Sequence, residues 1–454
     1  MSSCRWSGTS EPTPRYRRPA VASPPICLGW EGFSFMWGIP RIRAACLAAL
    51  IAGSVAGCGA TVPGTAAPGE VDLSTLDTGS YPTEPLNAHD DPFVPPLFNM
   101  KTVAGLYLSD YTITAYDIDP RMKYQGSAGH LNSSLTVLFG KSDEMEEIVD
   151  RHGLLYGFAT GGVSAKSSDT SQGKWPYHSD WPTKLRANEL TANIAVARVW
   201  DDEHAKAAAQ EFNDTDFANY RDHNERVSLP GHPTAHAHWQ PGSPYMRAYL
   251  ASGPYVIAIM VSAPTPDLAA IVDLAETAFT KQIEALAGTQ PLTGEQAYTL
   301  PWDPDHLLAR TLNPHQIPLP DSNGTHSVSG KQGFLHYIDR GLYEDREYTA
   351  TNLDRMKAER VALSSGTVAF KVADPESARR AVTEKLFPMP FAGEAPAPAG
   401  VPDSACVENA TPTAKNRYSC ILAYRSYVAV VGSDQLLDVH QRAAAQYAIF
   451  ANSR

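Results

Sequence analysis

Ile194-Ala-Val-Ala-Arg-Val-Trp200, followed at once by Asp201-Asp-Glu-His-Ala-Lys-Ala-Ala-Ala209, decides how this chain folds. The first stretch alternates as a strand does. The second opens a helix, with acidic residues in its first turn where carboxylates meet the positive end of the helix dipole. The same order returns at Val368-Ala-Phe-Lys-Val372 and Asp374-Pro-Glu-Ser-Ala-Arg-Arg-Ala381. Matching Ala195 to Val368 sets an offset of 173 residues, under which Arg198/Lys371, Val199/Val372, Asp201/Asp374, Glu203/Glu376 and Ala205/Ala378 coincide. Pro375 suits a first helical turn, where a missing N–H costs nothing.

A second pair of matching segments follows. Met246-Arg-Ala-Tyr-Leu-Ala-Ser-Gly-Pro-Tyr-Val-Ile-Ala-Ile-Met-Val261 reads as a hairpin turning at Ser252-Gly-Pro254, and Cys420-Ile-Leu-Ala-Tyr-Arg-Ser-Tyr-Val-Ala-Val-Val431 is its counterpart. Tyr255-Val256 matches Tyr427-Val428 at an offset of 172. Each hairpin leads to a helix: one after Thr265-Pro-Asp267 with the stripe Leu268, Ile271, Val272, Ala275, Phe279 and Ile283, the other from about Asp434 to Phe450. Hairpins with short turns oppose a parallel, doubly wound sheet, which needs helical crossovers. The expected fold class is α+β: two tandem, duplicated units, each an antiparallel sheet with helices covering one face. The units are expected at 91–287 and 288–454, with Pro388–Pro402 a surface excursion in the second.

The N-terminal region carries an address. Arg41 and Arg43 precede an apolar run, Ala44 to Val55, and then Ala56-Gly57-Cys58. A charged start, a short apolar stretch and small residues before a cut form a secretory signal, and the cysteine after them resembles the lipobox of bacterial lipoproteins. That resemblance implies acylation of Cys58 and removal of residues 36–57. The run falls short of the roughly 20 residues of a spanning helix. Met36 is read as the initiator and 1–35, rich in Pro and Arg, as an upstream extension. Residues 58–90 are expected as a flexible tether, small, polar and Pro/Gly-rich at its start.

Val71-Asp-Leu-Ser-Thr-Leu-Asp-Thr-Gly-Ser-Tyr-Pro-Thr-Glu-Pro85, Gly157-Phe158 with Ser164 and Lys166, and the tyrosine-rich hairpin near the end carry a wider likeness. Together they resemble a two-part lipoprotein family of unknown function from mycolate-containing actinobacteria. The resemblance implies an exported two-part lipoprotein and brings no reaction and no catalytic residues.

The net charge of −12 becomes −16 once residues 1–57, with six arginines and two glutamates, are removed. Such an acidic body disfavours nucleic acid and broad attachment to anionic lipid. Of six cysteines, only Cys406 and Cys420 lie beyond Cys58, and in an exported chain they are expected to pair. The residues between them have no apolar period, so the bond is expected to restrain a loop that packing cannot.

Motifs of catalysis are scarce. No Gly-x-Ser-x-Gly elbow is present, and Ser171-Gln-Gly-Lys174 sits beside Gly173 and Pro176, which break the helix such a nucleophile requires. Gly324-Thr-His-Ser-Val-Ser-Gly-Lys331 has one residue too many for a phosphate loop, so its glycines are expected in turns. Of the cluster His232, His236 and His238, the last two would share one face of a strand and could share a metal, but the nearest further candidates, His223, Asp222 and Glu225, have no ligand spacing, so exposed loop histidines are expected. Asp143 to Glu147 reads as the solvated start of a helix capped by Ser142. No catalytic residue, metal site or cofactor is assigned.

The strongest binding candidate is Lys174-Trp-Pro-Tyr-His-Ser-Asp-Trp-Pro182, whose Trp175, Tyr177 and Trp181 suit a sugar ring or an apolar ligand. The functional expectation is a lipid-anchored protein on the outer face of the cytoplasmic membrane that binds a ligand or partner without chemistry. A glycan, lipid or protein of the envelope would be that partner. The alternatives are a carrier of an apolar lipid-like molecule and an envelope hydrolase.

Overall fold

Each half of the chain builds one seven-stranded antiparallel sheet. The computed structural model describes residues 71–86, 97–131, 142–164, 189–219, 221–317, 326–336, 346–413 and 416–453, all within one compact unit, Pro68–Arg454. In the first half α1 (Leu97–Ser109) and α2 (Ala115–Ile118) precede β1 (Tyr124–His130), α3 (Ser142–His152) and β2 (Tyr156–Val163). There follow β3 (Thr191–Arg198), α4 (Asp202–Asn219), β4 (Glu225–Val227), β5 (His236–Trp239), β6 (Tyr245–Ser252) and β7 (Tyr255–Ser262). Helices α5 (Leu268–Leu286) and α6 (Gly294–Tyr298) close this half.

The second half runs β8 (His326–Gly330), α7 (Lys331–Leu335), α8 (Arg346–Arg355), β9 (Ala358–Ser364), β10 (Thr367–Val372) and α9 (Pro375–Thr383). It ends with β11 (Phe391–Ala395), β12 (Ser404–Thr413), β13 (Asn416–Tyr424), β14 (Tyr427–Ser433) and α10 (Leu436–Asn452). The first sheet is ordered β1-β2-β3-β7-β6-β5-β4, and the second, read from its other edge, β8-β9-β10-β14-β13-β12-β11. The strands of one half therefore map onto those of the other in sequence order.

Register agrees as well. Ala195 faces Ala258 and Arg198 faces Tyr255 across β3/β7, while Val368 faces Val430 and Lys371 faces Tyr427 across β10/β14. The offsets of 173 and 172 thus superpose cross-strand pairs as well as single residues. A buried glutamine repeats too. Gln282 on α5 accepts from the Ile113 N–H and donates to the Tyr111 carbonyl, at 3.0 and 2.8 Å. Gln446 on α10 does the same to Leu312 and Arg310, at 2.7 and 2.8 Å. In both halves a threonine beside the clamp returns its hydroxyl to a leucine carbonyl four residues back: Thr112 to Leu108 and Thr311 to Leu307. Identical topology, register and clamp make the halves structural repeats.

The α+β class, antiparallel pairing and tandem organisation match the sequence reading. One detail differs: helices cover both faces of each sheet. Ile194, Val196, Ile257 and Ile259 pack toward α1, α2 and α5, whereas Ala195, Ala197, Val256 and Ala258 pack toward α3 and α4. In the second sheet Val368, Phe370, Val428 and Val430 meet α7, α8 and α9, and Ala369, Ala429 and Val431 meet α10. Central strands that alternate large apolar with alanine are apolar on both faces, the pattern of a doubly covered sheet. Large buried rings, among them Phe158, Phe212, Phe279, Phe370 and Phe387, fill the cores.

Two segments behave differently from expectation. Residues 71–86, read as tether, run along α10. The Tyr81 hydroxyl donates to Asp438 at 2.6 Å, Gln441 to Asp77 at 3.1 Å, and Asn452 to the Thr83 carbonyl at 3.0 Å. This strap is part of the folded body because its polar groups find partners there. Pro388–Pro402, read as an excursion, supplies the edge strand β11, paired with β12. The packing of the first half also continues past 288: Thr289 bonds the Tyr107 hydroxyl at 2.7 Å and the Leu292 N–H donates to the Tyr156 hydroxyl at 3.1 Å.

The halves meet where α1 abuts β8 and α7. Asp110 accepts from the backbone N–H groups of Gly330 and Gly333, both at 2.7 Å. A Cβ at Gly333 would lie 2.4 Å from the Ser109 hydroxyl, so only glycine permits this approach. His336, fully buried, donates from Nε2 to the carbonyls of Thr112 and Ser109 at 2.9 and 3.1 Å, and its Nδ1 meets the Thr160 hydroxyl at 3.0 Å. Two carbonyl acceptors at Nε2 place the proton there and leave Nδ1 to accept.

Candidate functional site

A cleft opens between the strap and the second repeat. Its volume of about 530 Å³ falls in the range of small-molecule sites. Val71, Leu73 and Glu84 of the strap form one wall. Tyr424 and Arg425, at the β13–β14 turn, form a second, and Tyr447, Ala451, Asn452 and Ser453 on the last turns of α10 form the floor. The tyrosine rings meet edge to face at 5.5 Å, the Arg425 guanidinium lies 5.3 Å from the centre of the Tyr424 ring, and Asn452 donates to Glu84 at 3.1 Å. Aromatic edges, one cation, one carboxylate and one amide thus converge on an open, polar hollow.

The turn that carries Arg425 places a side-chain-bearing residue in the left-handed region, as the Ser365 turn between β9 and β10 also does. Tyr424 pairs with Tyr427, so only Arg425 and Ser426 span the hairpin. Arg425 has φ 51°, in the left-handed region that costs a side-chain-bearing residue. The equivalent residue in the first repeat is Gly253, with φ 54°. One repeat thus spends glycine where the other keeps arginine.

A second polar cluster lies buried against α4. Asp216 accepts from Arg247 at 2.8 Å and from Tyr249 at 3.3 Å, and His238 Nε2 lies 3.1 Å from the same carboxylate. His238 Nδ1 is 2.9 Å from Asn213 Oδ1, and its ring meets Phe217 edge-on. Burial pushes Asp216 up, but the Arg247 charge and the His238 bond outweigh it and hold the carboxyl below its ordinary value. Burial also raises the Tyr249 hydroxyl well above its usual range. Asp216 and His238 are buried and Arg247 nearly so, and the cluster ties α4 to β5 and β6.

The residues nominated from sequence fare unevenly. Cys58, Trp175, Tyr177 and Trp181 lie outside the described residues, as do Ser171 and Lys174. Cys406 and Cys420 are bonded to each other. They do not close an irregular loop, however: they stand opposite on β12 and β13, with Cα atoms 4.0 Å apart. The strand was hidden because β12 pairs through polar residues near the sheet edge. Two of the three histidines are not loop residues, whereas His232 stands in the loop between β4 and β5, half-buried. His236 and His238 belong to β5, and His238 is 6 % exposed because Asp216 and Asn213 satisfy it. His232 is held by α5 through Thr280 at 3.0 Å. Gly330 sits at a strand-to-helix corner, where an internal carboxylate, Asp110, occupies the position a phosphate would take in a phosphate loop. Helix α3 spans Ser142–His152, with Glu144, Glu146 and Glu147 exposed as expected.

Two features escaped sequence reading. The fold brings His440 to the cysteine pair, so that the sulfurs and an imidazole nitrogen lie within 4.8 Å of one another. Disulfide bonding leaves those sulfurs without the thiolate a metal requires. The strap cleft was also missed, although Arg425 standing at the Gly253 position was a signal available from the repeat offset.

Among the described residues no helix is long and apolar enough to cross a membrane. No curated protein matches the chain. Among solved structures, the extracellular domain of PknH from Mycobacterium tuberculosis aligns with 42 % of this chain and 98 % of its own length, at 10 % identity and a TM-score of 0.25, which is too low to support an inference. Two family models match consecutively: the DUF7373 N-terminal domain of unknown function over residues 95–302 and the DUF7373 C-terminal domain over residues 307–453. Their junction falls between the two repeats, and together they span more than three quarters of the sequence, so the chain belongs to the two-part DUF7373 family.

Proposed function

We propose that this is a lipid-anchored envelope protein of mycolate-containing actinobacteria that binds a polar ligand in the strap cleft and performs no chemistry on it. The observation that carries the reading is the cleft itself, with aromatic, cationic and carboxylate groups converging on about 530 Å³. The signal layout ending at Cys58 supports the address. Twelve residues lie between Cys58 and Val71, a reach of at most about 45 Å for the chain that would join the anchor to the body. Two acyl chains on Cys58 would give a stable anchor. An apolar carrier would need enclosed apolar volume, and the rings that fill both described cores favour the polar cleft instead.

Two measurements test the reading. Metabolic labelling with a fatty-acid probe should mark the parent and not Cys58→Ser; equal labelling would remove the anchor. Mass spectrometry of small molecules released from the purified protein should find a polar compound in the parent. The same compound should be depleted in a Tyr424→Ala variant. Trp175 and Trp181 are proposed as a second contact: their replacement by alanine should weaken capture of that compound without lowering stability, and a loss of stability instead would make them structural.

A further inference from the structure

The strap cleft resting on that reading has a definite chemical preference. We propose that it recognises a saccharide carrying an anionic group, with Arg425 as the anion's partner. Arg425 occupies a backbone conformation that its sister repeat gives to Gly253, and both residues turn the same two-residue hairpin. Strain kept at a cavity wall, where glycine would relieve it, marks a side chain retained for what it contacts. A guanidinium offers a planar fork of donors that matches carboxylate or phosphate oxygens.

A bare anion is a poor fit. Glu84 stands in the same cleft, and its carboxylate repels a small anion while accepting hydrogen bonds from hydroxyls. Asn452 already donates to Glu84 and to the Thr83 carbonyl, so the oxygen of its amide is left to accept. Tyr424 and Tyr447 line the hollow with their rings packed edge to face, an apolar surface that suits the C–H face of a pyranose. Hydroxyls spaced along a ring satisfy Glu84 and Asn452, while an acidic substituent at one end reaches Arg425. An alkyl chain would strip water from Arg425, Glu84 and Asn452 and offer no hydrogen bond in exchange, an outcome that costs binding.

The test is calorimetric titration of the full chain with glucuronate, glucose 1-phosphate, maltotriose, inorganic phosphate and decanoate. Both acidic sugars should bind more tightly than maltotriose, phosphate or decanoate. Preference between the two acidic sugars identifies carboxylate or phosphate as the charged group. Arg425→Gly should weaken the acidic sugars at least tenfold while the melting temperature stays level or rises, because the turn loses its strain. Tyr447→Phe keeps the ring packing and should weaken them less. Maltotriose binding as tightly as the acidic sugars, or affinity unchanged in Arg425→Gly, overturns the proposal, as does tighter binding of decanoate. If no sugar binds but an envelope extract raises the melting temperature of the parent and not of Arg425→Gly, the ligand class falls while the cleft remains a site. If the extract also has no effect, both readings fall.

Discussion

His336 ties the stability of this protein to pH. The side chain belongs to the second repeat, is wholly enclosed, and plugs into carbonyls of the first. Burial opposes its charged form and lowers its pKa from 6.5 to about 4, against the raising effect of the carbonyls and of Asp117. Above pH 6.5 both folded and unfolded chains hold a neutral imidazole, and stability is independent of this group. Below it the unfolded chain binds a proton that the folded chain refuses until about pH 4. Stability therefore falls with pH through this window, by about 2 kcal/mol at pH 5 and about 3 kcal/mol at pH 4. Asp110, at the same junction, is raised by burial and works in the opposite sense, adding stability as pH falls from its raised folded value toward its ordinary 3.8, and it does so in parent and variant alike. His336→Gln retains an N–H for the carbonyls and an acceptor for Thr160 while removing the titration. Urea unfolding of parent and variant, measured from pH 7.5 to 4.5, should give a stability difference that shifts by about 2 kcal/mol in the variant's favour as pH falls. Parallel pH profiles for the two proteins would refute this account of the junction.

Four further perturbations probe the repeats. Gln446→Leu strands the Leu312 N–H and the Arg310 carbonyl, and Gln282→Leu strands Ile113 and Tyr111. Each orphaned group costs about 1–3 kcal/mol, and similar losses for the two variants in denaturant titrations would bear out the duplicated clamp. Asp216→Asn leaves the Arg247 guanidinium enclosed without its counter-charge, which should cost about 3–5 kcal/mol by the same measurement. Reducing Cys406–Cys420, or replacing both by alanine, should lower stability by about 3 kcal/mol for a loop of this length, read as a drop in the urea midpoint.

The hairpins β6/β7 and β13/β14 and the strand-to-helix passages were legible because each declares itself within about twenty residues. Period-two alternation, a short turn and an N-cap are local signals. The edge strands were not legible. Val407 to Thr413 pairs largely through polar residues, and Phe391 to Ala395 lies between prolines, so neither shows a buried face in the sequence. His238 looked like a loop residue because its partners Asn213, Asp216 and Arg247 come from α4 and β6, and only folding brings them together. The cleft joins residues near 71, 84, 425 and 452, separations no local pattern can encode. The doubly covered sheets were hidden by alanine: Ala195, Ala197 and Ala258 are small enough to read as neutral, yet they receive helices α3 and α4 at close range.

The two repeats secure the same pair of strands by different chemistry. Cys420 stands at the position of Ala248 under the offset of 172, and its partner Cys406 stands where Ala237 faces Ala248. In the second repeat a covalent bond closes β12 onto β13. In the first, β5 and β6 carry alanines at that position, and the neighbouring residues His238 and Arg247 converge on Asp216. If the repeats are equivalent, the first must accept the staple of the second. Ala237→Cys with Ala248→Cys should oxidise spontaneously in the folded chain, detected as the absence of two titratable thiols. The new bond closes a loop of about a dozen residues, with a stabilisation of about 2.8 kcal/mol before any cost of fitting two sulfurs into a filled core. Because the equivalence also predicts that the staple can replace the ion cluster, the double cysteine variant should recover part of the stability lost in Asp216→Asn. Free thiols that persist under mild oxidant would show that β5 and β6 do not hold the register of β12 and β13, and the common origin of the halves would lose its sharpest support.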